Sequence, residues 1–434
     1  MELVAKLERR AAEGNPIRVG TAGCGQMGSG LAHTINHIPG MVVAAIADID
    51  PKRGIRTFAE MGHRPEDIFV TERVSEACDA VPHGQPVVSH DALLLPNIEP
   101  IDANVEATGI PDIGALVAYH SIIHSKPIIM LNVETDVTIG LYLNQLARRM
   151  GSVYKVTSGD EPGVLKMMWE QARLMGFEVV ALGKGKNNPI DTSMTPDQCA
   201  EEAHSKGMNP KVLCSFIDGT KTMVEIAAVS NATGLLPDVP GMNGPRVELE
   251  ELASTFIPRS DGGIFSAPGR IDYSTGGIAP GVFAIVYSDD AHIRKDMEFI
   301  TRAEGPYYLL FRPYHLCDLE TPQSIAEAVL LGEVTLAADE MHSEAICAAK
   351  RTIGAGEKVS GLGSADWYET IHTREDPARP RAISFGAAAA GRALKEIRKG
   401  EIFTEWNFAL DNCSFIFKLR ALQDALLCSG RLGC

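Results

Sequence analysis

Residues 17–28 read Ile17-Arg-Val-Gly-Thr-Ala-Gly23-Cys-Gly25-Gln-Met-Gly28, a β-branched run that breaks into Gly-x-Gly-x-x-Gly. Each glycine has its own task in such a turn. Gly23 permits the tight strand-to-helix bend, Gly25 lets backbone N–H groups approach a pyrophosphate, and Gly28 lets the helix lie close to the sheet, with Gln26 and Met27 opening that helix. The surroundings agree with this reading. Leu31, Ala32 and Ile35 form an apolar helical stripe, Met41–Ala47 reads as a second buried strand, and Asp48 closes it. Asp48 lies about 20 residues beyond the last glycine, where an acidic residue accepts from ribose hydroxyls. Lys52 and Arg53 follow it. An aspartate alone points to NAD, whereas adjacent cations hold a 2′-phosphate, so both NAD and NADP remain open.

Working outward, strands and helices alternate. Strands are expected at 17–20, 42–48, 87–89, 104–107 and 127–131, with helices at 25–38, 51–61 and 113–124. This alternation predicts an α/β fold whose N-terminal domain, 1–155, is a doubly wound parallel sheet of the Rossmann type. A second, α+β domain for catalysis and oligomerisation is expected over 156–339, with a helix at 322–331 returning to the first. Within it, the spacing predicts a strand at 177–182 and one periodic helix over 216–231. A small β-rich domain is expected over 340–434.

The chain has 434 residues, is 45% hydrophobic and 22% charged, and carries a formal net charge of −16. That charge repels nucleic acids and anionic membranes, so neither is an expected partner. An anionic substrate then requires a local cluster of Lys and Arg. No apolar run approaches the ~18 residues of a membrane span. Nine cysteines without a C-x-x-C pair fit a reducing cytoplasm better than a disulfide framework or a zinc site. A homo-oligomer is expected on general grounds.

Six further segments carry a family resemblance: Val105-Glu-Ala-Thr-Gly109, Met130-Leu-Asn-Val-Glu134, Gly183-Lys-Gly-Lys186, Asp218-Gly-Thr-Lys221, Arg312-Pro-Tyr-His-Leu316, and a tail with Gly-Glu before an apolar residue in 348–359 and 395–402. With the glycine fingerprint they resemble the homoserine-dehydrogenase-like proteins that end in an SAF domain. One branch of that family looks like a second solution to converting 1-deoxy-D-xylulose 5-phosphate into 2-C-methyl-D-erythritol 4-phosphate with NADPH, a step of isoprenoid precursor synthesis. The resemblance implies that Ala107, Thr108, Gly109, Asn132 and Glu134 face the cofactor. This chain departs from homoserine dehydrogenases at two places. Asn132 is followed by Val133 and Glu134 instead of a lysine, and Gly159-Asp-Glu-Pro162 replaces a Gly-Gly-x-Pro loop. Both changes disfavour an amino acid as substrate.

Hydride transfer to a carbonyl needs that carbonyl polarised and the alkoxide protonated, work done by a Lys, a His or a metal ion. Lys184 and Lys186, expected on a glycine-flanked loop past a strand, are candidate phosphate or carboxylate clamps or a proton donor; the alternative is a solvated turn. Lys221 and Glu225 share an i,i+4 face, either a surface salt bridge or, with Asp218, a substrate-polarising group as the resemblance implies. Asp160 and Glu161 offer hard oxygen ligands for Mg²⁺ or Mn²⁺. His315 is a candidate proton donor or a structural histidine. His120 and His124 have helical ligand spacing but no evident third ligand, and read as structural. The expected function is an NAD(P)-dependent oxidoreductase of a small, hydroxylated, phosphorylated carbonyl compound. The alternatives are a homoserine or sugar-acid dehydrogenase without rearrangement, and a non-catalytic nucleotide-sensing or carbohydrate-binding scaffold.

Overall fold

The computed structural model describes residues 2–376, 381–384, 391–410 and 414–432. They form two compact units: Met1–Gly163 with Leu316–Asp339 and Ser414–Cys434, and Val164–His315 with Glu340–Cys413. Where the sequence predicts three domains, the contacts make two. The tail after residue 339 is shared between them instead of standing alone.

In the first unit, strands β1 (Ile17–Ala22), β2 (Met41–Ala47), β3 (Phe69–Val70), β4 (Val87–Ser89), β5 (Ala103–Glu106), β6 (Ile128–Met130) and β7 (Tyr154–Val156) form one sheet. Its order is β3-β4-β2-β1-β5-β6-β7, with every pairing parallel. Sequential winding reverses at β1, which lies between β2 and β5, and the ends of β1 and β5 flank the switch point where α/β sheets bind ligands. Purely parallel strands are buried on both faces, which accounts for the continuous apolar run of β2. Helix Gln26–Asn36 buries Leu31, Ala32 and Ile35 in a core with Val19, Val43 and Ile46. Ile325, Ala326 and Ala328 complete that core. They lie on helix Cys317–Leu330, which starts a turn earlier than its Pro322 suggests. Pro322 lies inside the helix, in its second turn, where its missing N–H removes one i→i−4 hydrogen bond.

In the second unit, β8 (Glu178–Gly185), β9 (Leu236–Pro237), β10 (Arg270–Ser274), β11 (Val282–Tyr287) and β12 (Tyr307–Arg312) form a mixed sheet ordered β12-β11-β8-β10-β9. Phe256 anchors its core, with ring centroids 5.7 Å from Phe265 and 4.9 Å from Phe283. The periodic segment 216–231 is not one helix. Helices Pro210–Ile217 and Thr220–Thr233 meet at Asp218-Gly219, where Gly219 takes φ +90°. Helix Thr220–Thr233 packs on both strands of the hairpin β13 (Ser343–Ala349) and β14 (Trp367–Thr373). Its residues Thr222–Asn231 are all buried, so it lacks a solvent face. The two Gly-Glu segments of the tail meet through bridges Ile353–Ile397 and Ala348–Ile402, and Arg392–Ala393 pairs with Phe408–Ala409.

Among the described residues, no helix is long and apolar enough to cross a membrane. Removing the aromatic anchor tests the core of the second unit. Phe256→Ala is expected to cost about 3–5 kcal/mol, read as a lowered urea midpoint of that unit's unfolding transition.

Candidate functional site

The first unit offers a ligand site built from backbone. Gly23 has φ +90°, and a Cβ there would lie 2.7 Å from the Ala107 carbonyl carbon. The turn after β1 thus presses on the turn after β5. A Cβ on Gly28 would overlap the carbonyl oxygen of Gly23, so only glycine lets the helix start this close. Gly25 is the opposite case: exposed, with nothing within 4 Å of an added Cβ. It precedes helix Gln26–Asn36, whose N-terminus has no side-chain cap and no acidic residue in its first turn. Unopposed N–H groups and the positive end of the helix dipole fit a diphosphate.

Asp48, at the end of β2, is buried and braces this turn. One of its oxygens accepts from the Cys24 N–H at 2.7 Å and the other from the Asp50 N–H at 2.9 Å. A carboxylate has about four lone-pair sites, so ribose acceptance remains open to it. Arg53 Nη1 lies 4.0 Å away on a half-exposed side chain, and Lys52 is exposed. Gln26, Met27 and Gly109 are exposed, and Ala107 and Thr108 are half-buried. Asn132 caps helix Val133–Met150 by accepting from the Thr135 N–H at 3.1 Å, and Glu134 is buried in that helix's first turn. Beneath them Glu106 accepts from both the N–H and the hydroxyl of Thr108. Burial nevertheless pushes its carboxyl up to about 7, and Asp136, which accepts from the Tyr154 hydroxyl, is likewise pushed up to about 7.

The second unit gathers the lysines. Lys184 is on β8 itself and Lys186 follows it directly, so neither belongs to a solvated turn: they are 6% and 5% exposed. The repeat Gly183-Lys-Gly-Lys186 obeys the two-residue period of a strand. A Cβ on Gly183 would strike the Phe283 ring and one on Gly185 would lie 2.5 Å from the Ala279 nitrogen, so one face is packed against neighbouring chain while the lysines occupy the other. Lys184 Nζ pairs with Glu225 Oε2, and Lys221 Nζ lies 4.0 Å from Glu225 Oε1. Glu225 is 3% exposed. The i,i+4 pair is therefore not a surface salt bridge. Asp218 holds the helix break, its Oδ1 accepting from the Thr220 N–H at 2.8 Å, while its Oδ2 faces Lys350 Nζ at 2.8 Å. Lys186 Nζ donates to the Phe216 carbonyl oxygen at 2.7 Å and to Asn188 Oδ1 at 3.1 Å. Burial first, and the neighbouring charge of Lys184 second, bring Lys186 down to about 8.

Lys184, Lys186, Asp218 and Lys221, all predicted, thus share one neighbourhood. Sequence reasoning missed two of its members: Glu225 as a buried acceptor, and Lys350. Asp160 and Glu161 belong to the first unit, buried, with Asp160 Oδ1 accepting from the Glu161 N–H at 3.1 Å. His315 belongs to the second, half-buried, its Nδ1 at 2.9 Å from the Pro280 carbonyl oxygen. His120 and His124 stack at a helix end, His124 Nδ1 lying 2.8 Å from the His120 carbonyl oxygen.

Residues 159–321, which carry every one of these lysine-site residues except Lys350, match the family model described as the catalytic domain of oxidoreductase DRL. The chain is an oxidoreductase. No curated protein matches it. Among solved structures it is similar to a probable dehydrogenase from Thermotoga maritima, at 12% identity over 73% of this chain and 90% of that one, TM-score 0.41. A myo-inositol dehydrogenase from Lactobacillus casei, in complex with NAD(H) and myo-inositol, matches at 13% identity over 70% and 68%, TM-score 0.33. A DOX-P reductoisomerase in complex with magnesium matches at 11% identity over 73% and 70%, TM-score 0.39.

The raised Glu106 makes the first unit's stability depend on pH. Its carboxyl titrates near 4.5 unfolded and about 7 folded. The contribution is complete below the unfolded value and is lost as pH rises through the folded one, about 3 kcal/mol in all. Glu106→Gln is expected to make the fall in urea midpoint between these two values shallower, leaving the decline due to Asp136, which is itself pushed up to about 7.

Proposed function

We propose that the protein is an NAD(P)-dependent oxidoreductase of a small, hydroxylated, phosphorylated carbonyl compound, most concretely a 1-deoxy-D-xylulose 5-phosphate reductoisomerase. The observation that carries this reading is Lys186: a buried ammonium with its proton affinity lowered, beside Lys184 and directly after the central strand of the segment that matches an oxidoreductase catalytic domain.

The first unit's glycine turn and unopposed helix start suit the diphosphate of a dinucleotide, with Asp48 toward the ribose and Arg53 within reach of a 2′-phosphate. When bound, the nicotinamide supplies the hydride. The chain supplies the rest. Lys186, as ammonium, polarises the carbonyl and gives its proton to the alkoxide oxygen as charge develops there. An ordinary lysine, near 10.4, releases its proton reluctantly; one near 8 is matched to the task. Lys184 and Lys221 lend positive charge for the substrate's anionic group in a chain that is otherwise strongly acidic. Asp160 and Glu161 are a buried donor set of hard oxygens that suits Mg²⁺ or Mn²⁺, an ion that, if bound, would supply Lewis-acid chemistry toward a hydroxyketone.

Two outcomes are expected. Purified protein with NADPH, Mg²⁺ and deoxyxylulose phosphate consumes the reduced nicotinamide, and kcat/KM for reduction falls above about pH 8 as Lys186 loses its proton. Absence of turnover at saturating substrate contradicts the reductoisomerase reading, and a flat profile across that range contradicts the role of Lys186. For the metal, Asp160→Ala is expected to lose at least tenfold in activity and to become insensitive to chelator. Full activity of that variant in chelator would instead indicate a dehydrogenase without rearrangement.

A further inference from the structure

Lys350 follows directly on β13, in the C-terminal part of the second unit and outside the segment that matches the catalytic-domain model. Its side chain is 1% exposed and faces Asp218, whose side chain is fully buried, at 2.8 Å. The remaining contacts of Nζ are to neutral groups: the Met194 carbonyl oxygen at 2.8 Å, the Ser364 carbonyl oxygen at 2.7 Å and Cys214 Sγ at 3.4 Å. The same hairpin grips the loop a second time, since the Glu369 N–H donates to the Thr220 hydroxyl at 3.1 Å. Thr220 begins the helix that carries Lys221 and Glu225, and Asp218 ends the one before it. Both contacts therefore bear on the turn that positions the lysine site.

We propose that the C-terminal hairpin completes the substrate site, with Lys350 as a positioning residue that holds Asp218 and answers its charge, so that Lys186 is left to act on the substrate. The proposal rests on the reading of Lys186 given above. A buried carboxylate needs a cation, and two buried lysines could serve Asp218. Lys350 lies against it as an ion pair, whereas Lys186 spends its hydrogen bonds on the neutral oxygens of Phe216 and Asn188. The groups whose charge bears on Lys186 are Lys184, Asp218 and Glu225; those around Lys350 are Asp218, Cys214, Cys199 and Asp191. Without Lys350 the charge of Asp218 falls on Lys186 and makes it a more reluctant acid. The tail is thus more than a packing module.

The test uses the full chain with ¹³C-labelled lysine, following the Lys186 Cε resonance against pH and assigning it by its loss in Lys186→Arg. Lys350→Met is expected to raise the Lys186 midpoint by about one pH unit or more, and Asp218→Asn to lower it. The double variant, which leaves neither charge buried alone, is expected to return it close to the parent value, and Lys350→Arg to keep it there. If Lys350→Met does not fold, Asp218→Asn and the double variant carry the same comparison. An unchanged Lys186 midpoint across the folded variants overturns the proposal, as does a midpoint in the double variant that stays with Asp218→Asn. Because this readout needs no turnover, it is separate from failure of the catalytic reading, which would appear as full activity in Lys186→Ala.

Discussion

The second unit depends on an ammonium and a carboxylate that have left water together. Lys184 is on the central strand of the sheet, and Glu225 is on the helix that separates that sheet from the C-terminal hairpin. Desolvating each ion costs several kcal/mol, and removing one partner of such a pair typically costs about 3–5 kcal/mol because the other is left buried alone. The pair therefore fixes which face of helix Thr220–Thr233 meets β8. Once that face is set, Asp218 and Lys221 arrive with it, and the glycines of Gly183-Lys-Gly-Lys186 pack the opposite side of the strand. A polar interior of this kind adds little net stability. Its product is a set of lysines held at defined positions away from solvent.

The candidate sites of the two units are made of different materials. In the first, the working groups are backbone: an exposed Gly25, a Gly28 that touches Gly23, and a helix start without a side-chain cap. Backbone N–H groups keep their direction whatever the surrounding side chains, which suits a constant diphosphate. In the second they are side chains, among which Lys186 has its proton affinity lowered by burial and by the neighbouring charge of Lys184. That suits chemistry in which a proton must be released on demand.

The fold of the first unit was legible because its signals are local. The glycine spacing, the apolar run of β2 and the alternation of strand and helix each lie within a few dozen residues. The expected boundaries of β1, β2 and β4 fall within two residues of those found. What was not legible depends on distant pairing. Lys184 and Lys186 read equally well as a solvated turn, because nothing nearby in the chain reveals that helix Thr220–Thr233 will cover them. Glu225 looked like half of a surface pair because i,i+4 spacing is the same on an exposed helix and on one buried all round. Lys350 gave no signal at all, since its partner is more than a hundred residues earlier and the β-rich tail suggested only an accessory role. The helix break at Asp218-Gly219 was the one local cue available, hidden by apolar periodicity on both sides of the glycine.

Single-turnover kinetics report on whether Lys186 protonates the reduced carbonyl. Enzyme loaded with NADPH is mixed with saturating substrate, and the loss of reduced nicotinamide is followed in the parent and in Lys186→Ala, with NADPH affinity measured alongside. Unchanged affinity and a hydride-transfer step slowed by about a hundredfold or more are expected. An unchanged rate in the variant would contradict that role of Lys186.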